Sequence, residues 1–117
     1  MRVYRWENVR KDQMNPKLWR KFITGDRMTV AQIGIARGGI VPTHQHESEQ
    51  ISCVLEGSIK FTFGGEDVVV RAGEAVHIPS NVPHSAEALE DFFGIDVFSP
   101  VREDWLTGAD NYLRAQK

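Results

Sequence analysis

Three of the four histidines of this 117-residue chain lie in two turns rich in glycine and proline, His44-Gln45-His46 and His84. On an extended strand, residues two apart point to the same face, so His44 and His46 can offer imidazole nitrogens to one point in space. Gln50 keeps the same parity and can add an amide oxygen. Nitrogen and oxygen donors of this kind bind divalent transition metals. The spacing therefore predicts a metal ion at the first turn.

Four other reactive side chains nearby are expected to have structural roles. His77 is one residue out of parity with its apolar neighbours, which favours a packed or surface histidine. Glu47 and Glu49 have the opposite parity to His46 and Gln50 and are expected to face solvent. Cys53 is the single cysteine of the chain and lies in an apolar run, which predicts a buried, inert thiol without a disulfide partner.

The elements that must position these residues are short strands. From residue 28 onward, short apolar runs with strand-like content are each closed by glycine, proline or an acidic turn. A parallel βαβ sheet is excluded because it needs roughly 10 to 15 residues of helical pattern between strands. Seven or eight strands in an all-β sandwich or barrel are expected. The clearest are 28–36, 51–55, 58–63, 68–70, 75–78, 86–89 and 92–98.

The organisation predicted for the chain is a single domain over residues 1–117, with a core at about 28–100. An N-terminal segment, 1–27, flanks this core, and the C-terminal tail, 101–117, is expected to form a short helix or coil packed on the outside. Hydrophobic residues make up 41% of the chain and charged residues 26%, as in ordinary globular proteins. No stretch is apolar enough for a membrane span or a signal peptide, which predicts a cytoplasmic protein.

The charge of the chain is distributed unevenly. Residues 1–27 carry eight Lys/Arg against three Asp/Glu, whereas residues 28–117 carry six against thirteen, giving +5 and −7. The basic charges are scattered among aromatic residues and proline and match no nucleic-acid-binding motif, so no nucleic-acid partner is expected. A solvated edge that faces an anionic substrate or a partner subunit is the preferred interpretation.

Two sequence motifs resemble those of the cupin superfamily. The first runs from Gly38 through five residues to His44-Gln45-His46, then three residues to Gln50 and six to Gly57. Here Gln50 takes the position that is usually Glu. The second runs from Gly73 through five residues to Pro79 and on to His84. Asn81 and Ala88 depart from the second motif, at positions that are not ligands.

The resemblance implies a small single-domain cupin, a jelly-roll type of β-barrel, that binds one divalent metal ion through His44, His46, Gln50 and His84. Zn, Ni, Mn, Fe and Co all suit this ligand set. Since all four ligands are neutral, the full charge of the ion is retained. Such an ion is a stronger Lewis acid toward an anionic oxygen and a weaker stabiliser of high oxidation states. The set therefore disfavours oxygenase chemistry.

A second group of residues follows the last predicted strand. Asp96 and Phe98 share one face, and a carboxylate inside an apolar barrel is costly unless it pairs with a partner such as Arg102 or acts as a general acid or base. The pattern Asp-x-Phe-x-Pro-x-Arg-Glu-Asp, after the histidines and Gln50, resembles the KdgF family of pectin and alginate breakdown. The resemblance implies that Asp96 moves protons, Phe98 shapes the sugar pocket and Arg102 receives a carboxylate.

The activity implied by this family resemblance is the ring opening of 4,5-unsaturated uronates to linear 5-keto-4-deoxyuronate, without a redox cofactor. The partner would be a small anionic sugar. Small cupins with three histidines and one glutamine also resemble manganese-dependent hydroxynitrile lyases and dioxygenases, and a non-catalytic sugar-binding cupin is a further alternative. Since cupins commonly pair through sheet edges, a homodimer is expected.

Overall fold

The computed structural model describes residues 1–114. A short 3-10 helix at Trp6–Asn8 precedes the strands, and two short helices follow them. The strands are β1 (Asp12–Asn15), β2 (Leu18–Thr24), β3 (Thr29–Ile35), β4 (Ile40–His44), β5 (Glu49–Glu56), β6 (Ser58–Phe63), β7 (Glu66–Arg71), β8 (Ala75–Ile78), β9 (His84–Ala88) and β10 (Phe92–Ser99); the helices are α1 (Glu103–Thr107) and α2 (Asn111–Arg114).

The strands form two antiparallel sheets. The larger has the order β1-β2-β3-β10-β5-β8, and the smaller has the order β4-β9-β6-β7. Apolar side chains from both sheets are buried between them, because alternate residues of each strand point inward. This core includes Ile33, Ile35, Val54, Ile59, Phe61, Val70, Ile78, Ala86 and Phe92. The all-β expectation is confirmed.

The described residues contain ten strands rather than seven or eight. Strand β2 does not stand out in the sequence because Arg20, a charged residue, occupies an inward position of the strand and is 2% exposed. Strand β4 does not stand out because it contains Pro42 and ends in His44. Strand β1 is mostly polar in sequence, so all three missed strands have one physical reason: polar or conformationally unusual residues interrupt the alternation of apolar and polar residues.

Strand β5 has polar side chains at two of its three inward positions, and apolar side chains at several outward positions. Gln50 and Ser52 are buried, whereas Ile51 is 46% exposed and Leu55 is 49% exposed. Cys53 shares the outward parity and is only half-buried, so the prediction of a buried thiol is wrong. Apolar neighbours in the sequence do not imply burial on a strand whose outward face is itself apolar.

The turn between β5 and β6 requires a glycine. Gly57 has φ +77°, in the left-handed region, and a Cβ atom here would collide with the backbone carbonyl of Asp91. The glycine that closes the first motif therefore lets β5 and β6 pass close to the turn before β10.

The C-terminal tail closes one end of the barrel. Trp105 of α1 and Leu113 of α2 are buried in the core, so the short helices predicted for this tail are present but are not simply packed on the outside. Arg114 makes two hydrogen bonds to Asp12 of β1, at 3.0 and 2.7 Å. The last three residues of the predicted tail, 115–117, lie outside the described residues. Within residues 1–114, no helix has the length and apolar character that crossing a membrane requires.

Candidate metal centre

Three histidines converge at one end of the barrel, between the two sheets. His44 and His84 are register partners in the β4–β9 pair, and their ring centroids lie 4.3 Å apart. His46 follows in the loop after β4, with its ring 5.1 Å from that of His84. One ligand nitrogen from each ring lies within 4.8 Å of the other two. The three histidines can therefore hold one metal ion.

The path of the chain at this site differs from the one expected. Strand β4 ends at His44, so His46 does not share a regular strand face with it. The loop bends instead, with the Ser80 hydroxyl donating to the carbonyl of Glu47 and the amide of Asn81 donating to the carbonyl of His46 at 2.8 Å. These bonds hold the loop so that the two rings still meet.

Each of the three histidine rings has its Nδ1 atom beside a backbone carbonyl. A carbonyl oxygen only accepts hydrogen bonds, so Nδ1 carries the hydrogen and Nε2 keeps a free lone pair. This arrangement orients a histidine to bind a metal through Nε2. The Nδ1 atoms donate from His44 to Pro42 at 2.9 Å, from His46 to Ser48 at 2.6 Å and from His84 to Val82 at 2.8 Å.

Two of these Nε2 atoms have no suitable donor around them. The Nε2 atom of His84 is buried and has no hydrogen-bond partner among residues 1–114. The Nε2 atom of His46 lies 3.1 Å from the Oε1 atom of Gln50. The amide nitrogen of Gln50 donates to Ser52 at 2.8 Å and to Asp96 at 3.4 Å, which turns Oε1 toward His46. A cation that accepts electron pairs from all these atoms fits the arrangement.

The electrostatics keep the three rings neutral. Burial lowers the pKa of His44 to about 3, against the hydrogen bond to Pro42 and with the help of the neighbouring histidines. Burial and the positive charge of Arg102 lower the pKa of His46 to about 4. Burial also lowers the pKa of His84. Neutral imidazoles are the form that binds a metal ion, so the three histidines fit the metal ion that the sequence predicts.

The polar residues expected to lie outside the site do so. His77 is 53% exposed and interacts with Glu49, with 2.9 Å between its Nε2 atom and the carboxylate. Glu47 and Glu49 are both exposed, as their parity predicts. None of the three is in the histidine cluster.

Asp96 lies on β10, directly opposite Ser52 of β5. Its side chain lines an inner cavity of about 60 Å³ together with Gln50, His44 and His84. Burial raises the pKa of Asp96 to about 6, against a hydrogen bond from Ser52 and the positive charge of Arg102. The carboxyl group can therefore exchange a proton near neutral pH, as a general acid or base requires.

Arg102 does not pair with Asp96 by a hydrogen bond, and it is not on the surface. It is 3% exposed and donates from Nε and Nη2 to the carboxylate of Asp104, at 2.9 and 2.6 Å. Its Nη2 also donates to the Tyr112 hydroxyl at 3.1 Å. Burial alone would lower the pKa of Arg102, but the contacts with Asp104 and Tyr112 raise it overall, so the guanidinium stays charged.

Aromatic rings surround Arg102. The guanidinium lies 4.8 Å from the ring centroid of Phe98 and 4.6 Å from that of Trp105. Arg20 lies over the same Trp105 ring at 4.3 Å. Phe98 is 1% exposed and also meets the ring of His46 edge to face at 5.6 Å. Phe98 thus packs against both the His46 ring and the guanidinium of Arg102.

Tyr112 and Trp105 lie at this site, although the sequence predicts them only as part of the C-terminal tail, 101–117. The ring of Tyr112 stacks on His44 with centroids 5.0 Å apart and planes at 26°. Tyr112 and His44 are 68 positions apart in the chain, so no local sequence pattern predicts their contact. Only the return of the tail over the barrel end, which depends on tertiary packing, brings them together.

The inner cavity opens toward an outer cleft of about 390 Å³. That volume is in the range of small-molecule sites, and the cleft lies over the histidine cluster. His44, Arg102 and Tyr112 line both spaces. A small molecule in the cleft would contact the candidate metal site and the guanidinium at the same time.

Comparison with known proteins identifies the family. The profile of the Cupin domain family matches residues 32–92. The chain is a cupin. Among proteins of known name, this cupin is 32% identical over 98 residues to the pectin degradation protein KdgF of Dickeya dadantii (strain 3937), covering 81% of this chain and 89% of the relative.

Solved structures give the same result. The structure of KdgF from Halomonas sp. is 30% identical, with a TM-score of 0.77, and the match covers 85% of this cupin and 94% of that chain. An RmlC-like cupin from Shewanella frigidimarina NCIMB 400 is 26% identical, with a TM-score of 0.82 and coverage of 90% and 96%. The cupin barrel expected from the two sequence motifs is confirmed.

Proposed function

We propose that this cupin opens the ring of 4,5-unsaturated uronates to give linear 5-keto-4-deoxyuronate. The observation that carries the proposal is the position of the Asp96 carboxylate beside Gln50, in a cavity that two of the three neutral histidines and a buried arginine also line. An acid/base group, a metal site and a cation are the groups that this reaction needs. The similarity to KdgF proteins supports the choice of substrate class.

The metal ion would be bound by His44, His46, Gln50 and His84. When bound, a divalent ion supplies Lewis-acid stabilisation of the negative charge that develops on a sugar oxygen, without a redox change. Zn, Ni, Mn, Fe and Co all suit the ligands. The protein residues keep this site charge-neutral, because all three imidazoles are uncharged and Gln50 contributes an amide oxygen.

Asp96 would carry the proton through the reaction. Its carboxylate takes the proton of the anomeric hydroxyl as the bond between C1 and the ring oxygen breaks, which leaves an aldehyde at C1. The ring oxygen stays on C5 as an enolate oxygen, and Asp96 delivers the same proton to C4, so C5 becomes a ketone and the carboxylate is restored. A positioned acid/base group of this kind contributes about 10² to 10⁴ in rate.

Arg102 and Phe98 would position the sugar. The guanidinium of Arg102 lies where the inner cavity meets the outer cleft, so a uronate carboxylate there faces a positive charge. Phe98 packs between this guanidinium and His46 and gives the sugar ring an apolar wall. With the carboxylate held at the mouth, the ring would extend toward Asp96.

The test is a direct assay with unsaturated galacturonate, following the loss of absorbance of the C4=C5 double bond. The uncatalysed reaction, measured in the same buffer, is the reference. We expect the protein to raise the rate far above this reference and to lose the activity when a chelator removes the metal. A rate equal to the uncatalysed one, with metal-loaded and folded protein, would contradict the proposal.

The alternative functions predict different results in the same assay. A hydroxynitrile lyase or a dioxygenase would use the metal but leave the unsaturated uronate unchanged, and a dioxygenase would consume oxygen. A non-catalytic sugar-binding cupin would bind the uronate and leave it intact. The homodimer stays a prediction, which light scattering at several protein concentrations would test.

A further inference from the structure

We propose that the hydroxyl group of Tyr112 binds the carboxylate of the substrate together with Arg102. The residue lies on α2, outside the sequence motifs that point to Asp96, Phe98 and Arg102. The inference rests on the proposed function for the identity of the sugar. The carboxylate-binding pair itself can be tested without turnover.

Arg102 and Tyr112 each keep a hydrogen-bond donor that the described residues do not use. The Nε and Nη2 atoms of Arg102 are already bonded to Asp104, and Nη2 also donates to the oxygen of Tyr112. The Nη1 atom makes no hydrogen bond to any of the residues in the described part of the chain. The hydrogen of the Tyr112 hydroxyl likewise has no acceptor within residues 1–114. Two donors therefore stay available side by side, one charged and one neutral.

The charges around Arg102 also favour a second donor for a carboxylate. Asp104 neutralises much of the charge of Arg102 through its two short hydrogen bonds. A carboxylate approaching the guanidinium therefore also meets the negative charge of Asp104. A second hydrogen-bond donor without a negatively charged partner attracts the carboxylate and offsets the repulsion by Asp104. The Tyr112 hydroxyl is such a donor. The two oxygens of one carboxylate can accept from Nη1 and from the phenol at once.

Tyr112 lies beside the candidate metal site. Tyr112 lines both the inner cavity and the outer cleft, and its ring stacks on the candidate ligand His44. A carboxylate bound at its hydroxyl therefore lies beside the histidine cluster, not at a separate surface. The half-buried position also shields the bond from water, which strengthens a hydrogen bond to a charged group.

Contacts with β1 hold the part of the chain that follows Tyr112. The amide of Asn15 donates to the carbonyl of Leu113 at 2.8 Å, and Arg114 is bound to Asp12 through two hydrogen bonds. These contacts hold the residues that directly follow Tyr112 against β1. The phenol is therefore fixed before a ligand arrives, and little conformational entropy is lost on binding.

The experiment compares the binding of D-galacturonate and D-galactose, which is its neutral analogue at C6, by calorimetry. The protein is used as purified, with its metal content determined. The variant Tyr112→Phe keeps the stacked ring and removes only the hydroxyl. The matched control is Tyr4→Phe, since Tyr4 is the other tyrosine of the chain and is exposed.

We expect the wild type to prefer galacturonate and Tyr112→Phe to bind it at least about 10-fold more weakly, because the lost hydrogen bond goes to a charged group. Binding of galactose, metal content and Tm should stay close to the wild type. Tyr4→Phe should behave as the wild type throughout. Equal binding of galacturonate by Tyr112→Phe and the wild type, or no preference of the wild type for the acid, would overturn the inference.

The ring-opening assay separates this inference from the proposed function. A protein that binds galacturonate through Tyr112 but leaves unsaturated galacturonate intact would contradict the proposed reaction and keep the carboxylate-binding pair. A Tyr112→Phe variant with wild-type binding and a wild-type KM would contradict the pair and keep the reaction.

Discussion

The Nε2 atom of His46 lies 3.1 Å from the Oε1 atom of Gln50, and both atoms present lone pairs to each other. Since the Nδ1 atom of His46 donates to a backbone carbonyl and the Gln50 amide nitrogen donates elsewhere, neither residue can supply a hydrogen to this contact without breaking another bond. Two acceptors this close repel each other when no cation lies between them. Metal binding should therefore be coupled to the stability of the fold.

The first prediction is that metal removal destabilises the protein. Binding that is confined to the folded state adds about 2.7 kcal/mol when the free metal is at 100 times its dissociation constant. We expect Tm, measured by circular dichroism, to fall on treatment with a chelator and to recover when a divalent metal is added back. An unchanged Tm in protein shown to be metal-free would contradict the coupling.

Histidine variants provide a matched pair for the same site. His84→Ala removes a buried candidate ligand and should leave the purified protein with little metal. His77→Ala removes an exposed histidine outside the cluster and should retain about the wild-type metal content. Elemental analysis distinguishes them, and equal metal content in the two variants would show that His84 does not bind the ion.

The second prediction concerns Asp96. Asp96→Asn keeps the shape of the side chain but cannot carry a proton, so ring opening should fall by about 10² to 10⁴. Metal content should change little, because Gln50, not Asp96, faces the histidines. The measurement is the steady-state rate with unsaturated galacturonate.

An exposed carboxylate gives the control for Asp96. Asp26→Asn changes a residue in the turn between β2 and β3 and should leave both rate and metal content at the wild-type level. If Asp96→Asn retains the full rate while folded and metal-loaded, Asp96 takes no part in the proton transfer.

The candidate histidine ligands could be predicted from the sequence because two of them lie in one short turn and Gln50 follows closely. His84 is distant in the chain but lies opposite His44 in the β4–β9 strand pair. The second sequence motif contains His84, so the two motifs together predicted that it would join the site. The contacts of Arg102 could not be predicted in this way. Its partner Tyr112 lies on a helix whose return to the barrel depends on tertiary packing, a property that strand alternation does not report.

The third prediction tests the close spacing of β10 and β5. A Cβ atom at Gly94 would lie 2.7 Å from the carbonyl oxygen of Cys53 and 2.6 Å from the ring of Phe92. Because the Cys53 carbonyl cannot shift without disturbing the pairing of β5 and β10, Gly94→Ala should destabilise the fold by about 1 to 3 kcal/mol. Chemical denaturation provides the measurement.

Gly25→Ala is the control for Gly94→Ala. Its Cβ atom would make only ordinary contacts with Met28, at 3.8 Å, so the free energy of unfolding should change by no more than about 0.5 kcal/mol. Equal effects of the two substitutions would contradict the tight packing of β10 against β5 at Gly94.

The fourth prediction is a pH dependence at the anchor of α2. The hydrogen bonds from Arg114 hold the pKa of Asp12 below its ordinary value, against the effect of burial. A carboxylate with a lowered pKa in the folded state stabilises the protein above its unfolded-state pKa of about 3.9, and this contribution is lost as the pH falls through the folded-state pKa. Asp12→Asn should therefore cost stability at neutral pH, and the difference from the wild type should shrink below about pH 4.

The size of this effect is limited because the side chain of Arg114 is 43% exposed, so we expect a difference of about 0.5 to 1 kcal/mol at neutral pH. A double-mutant cycle with Arg114→Gln checks the assignment. In the Asp12→Asn background, Arg114→Gln should cause almost no further loss, because the pair is already broken. Additive losses at neutral pH, or a difference that persists unchanged at pH 3, would show that the ion pair does not hold α2 against β1.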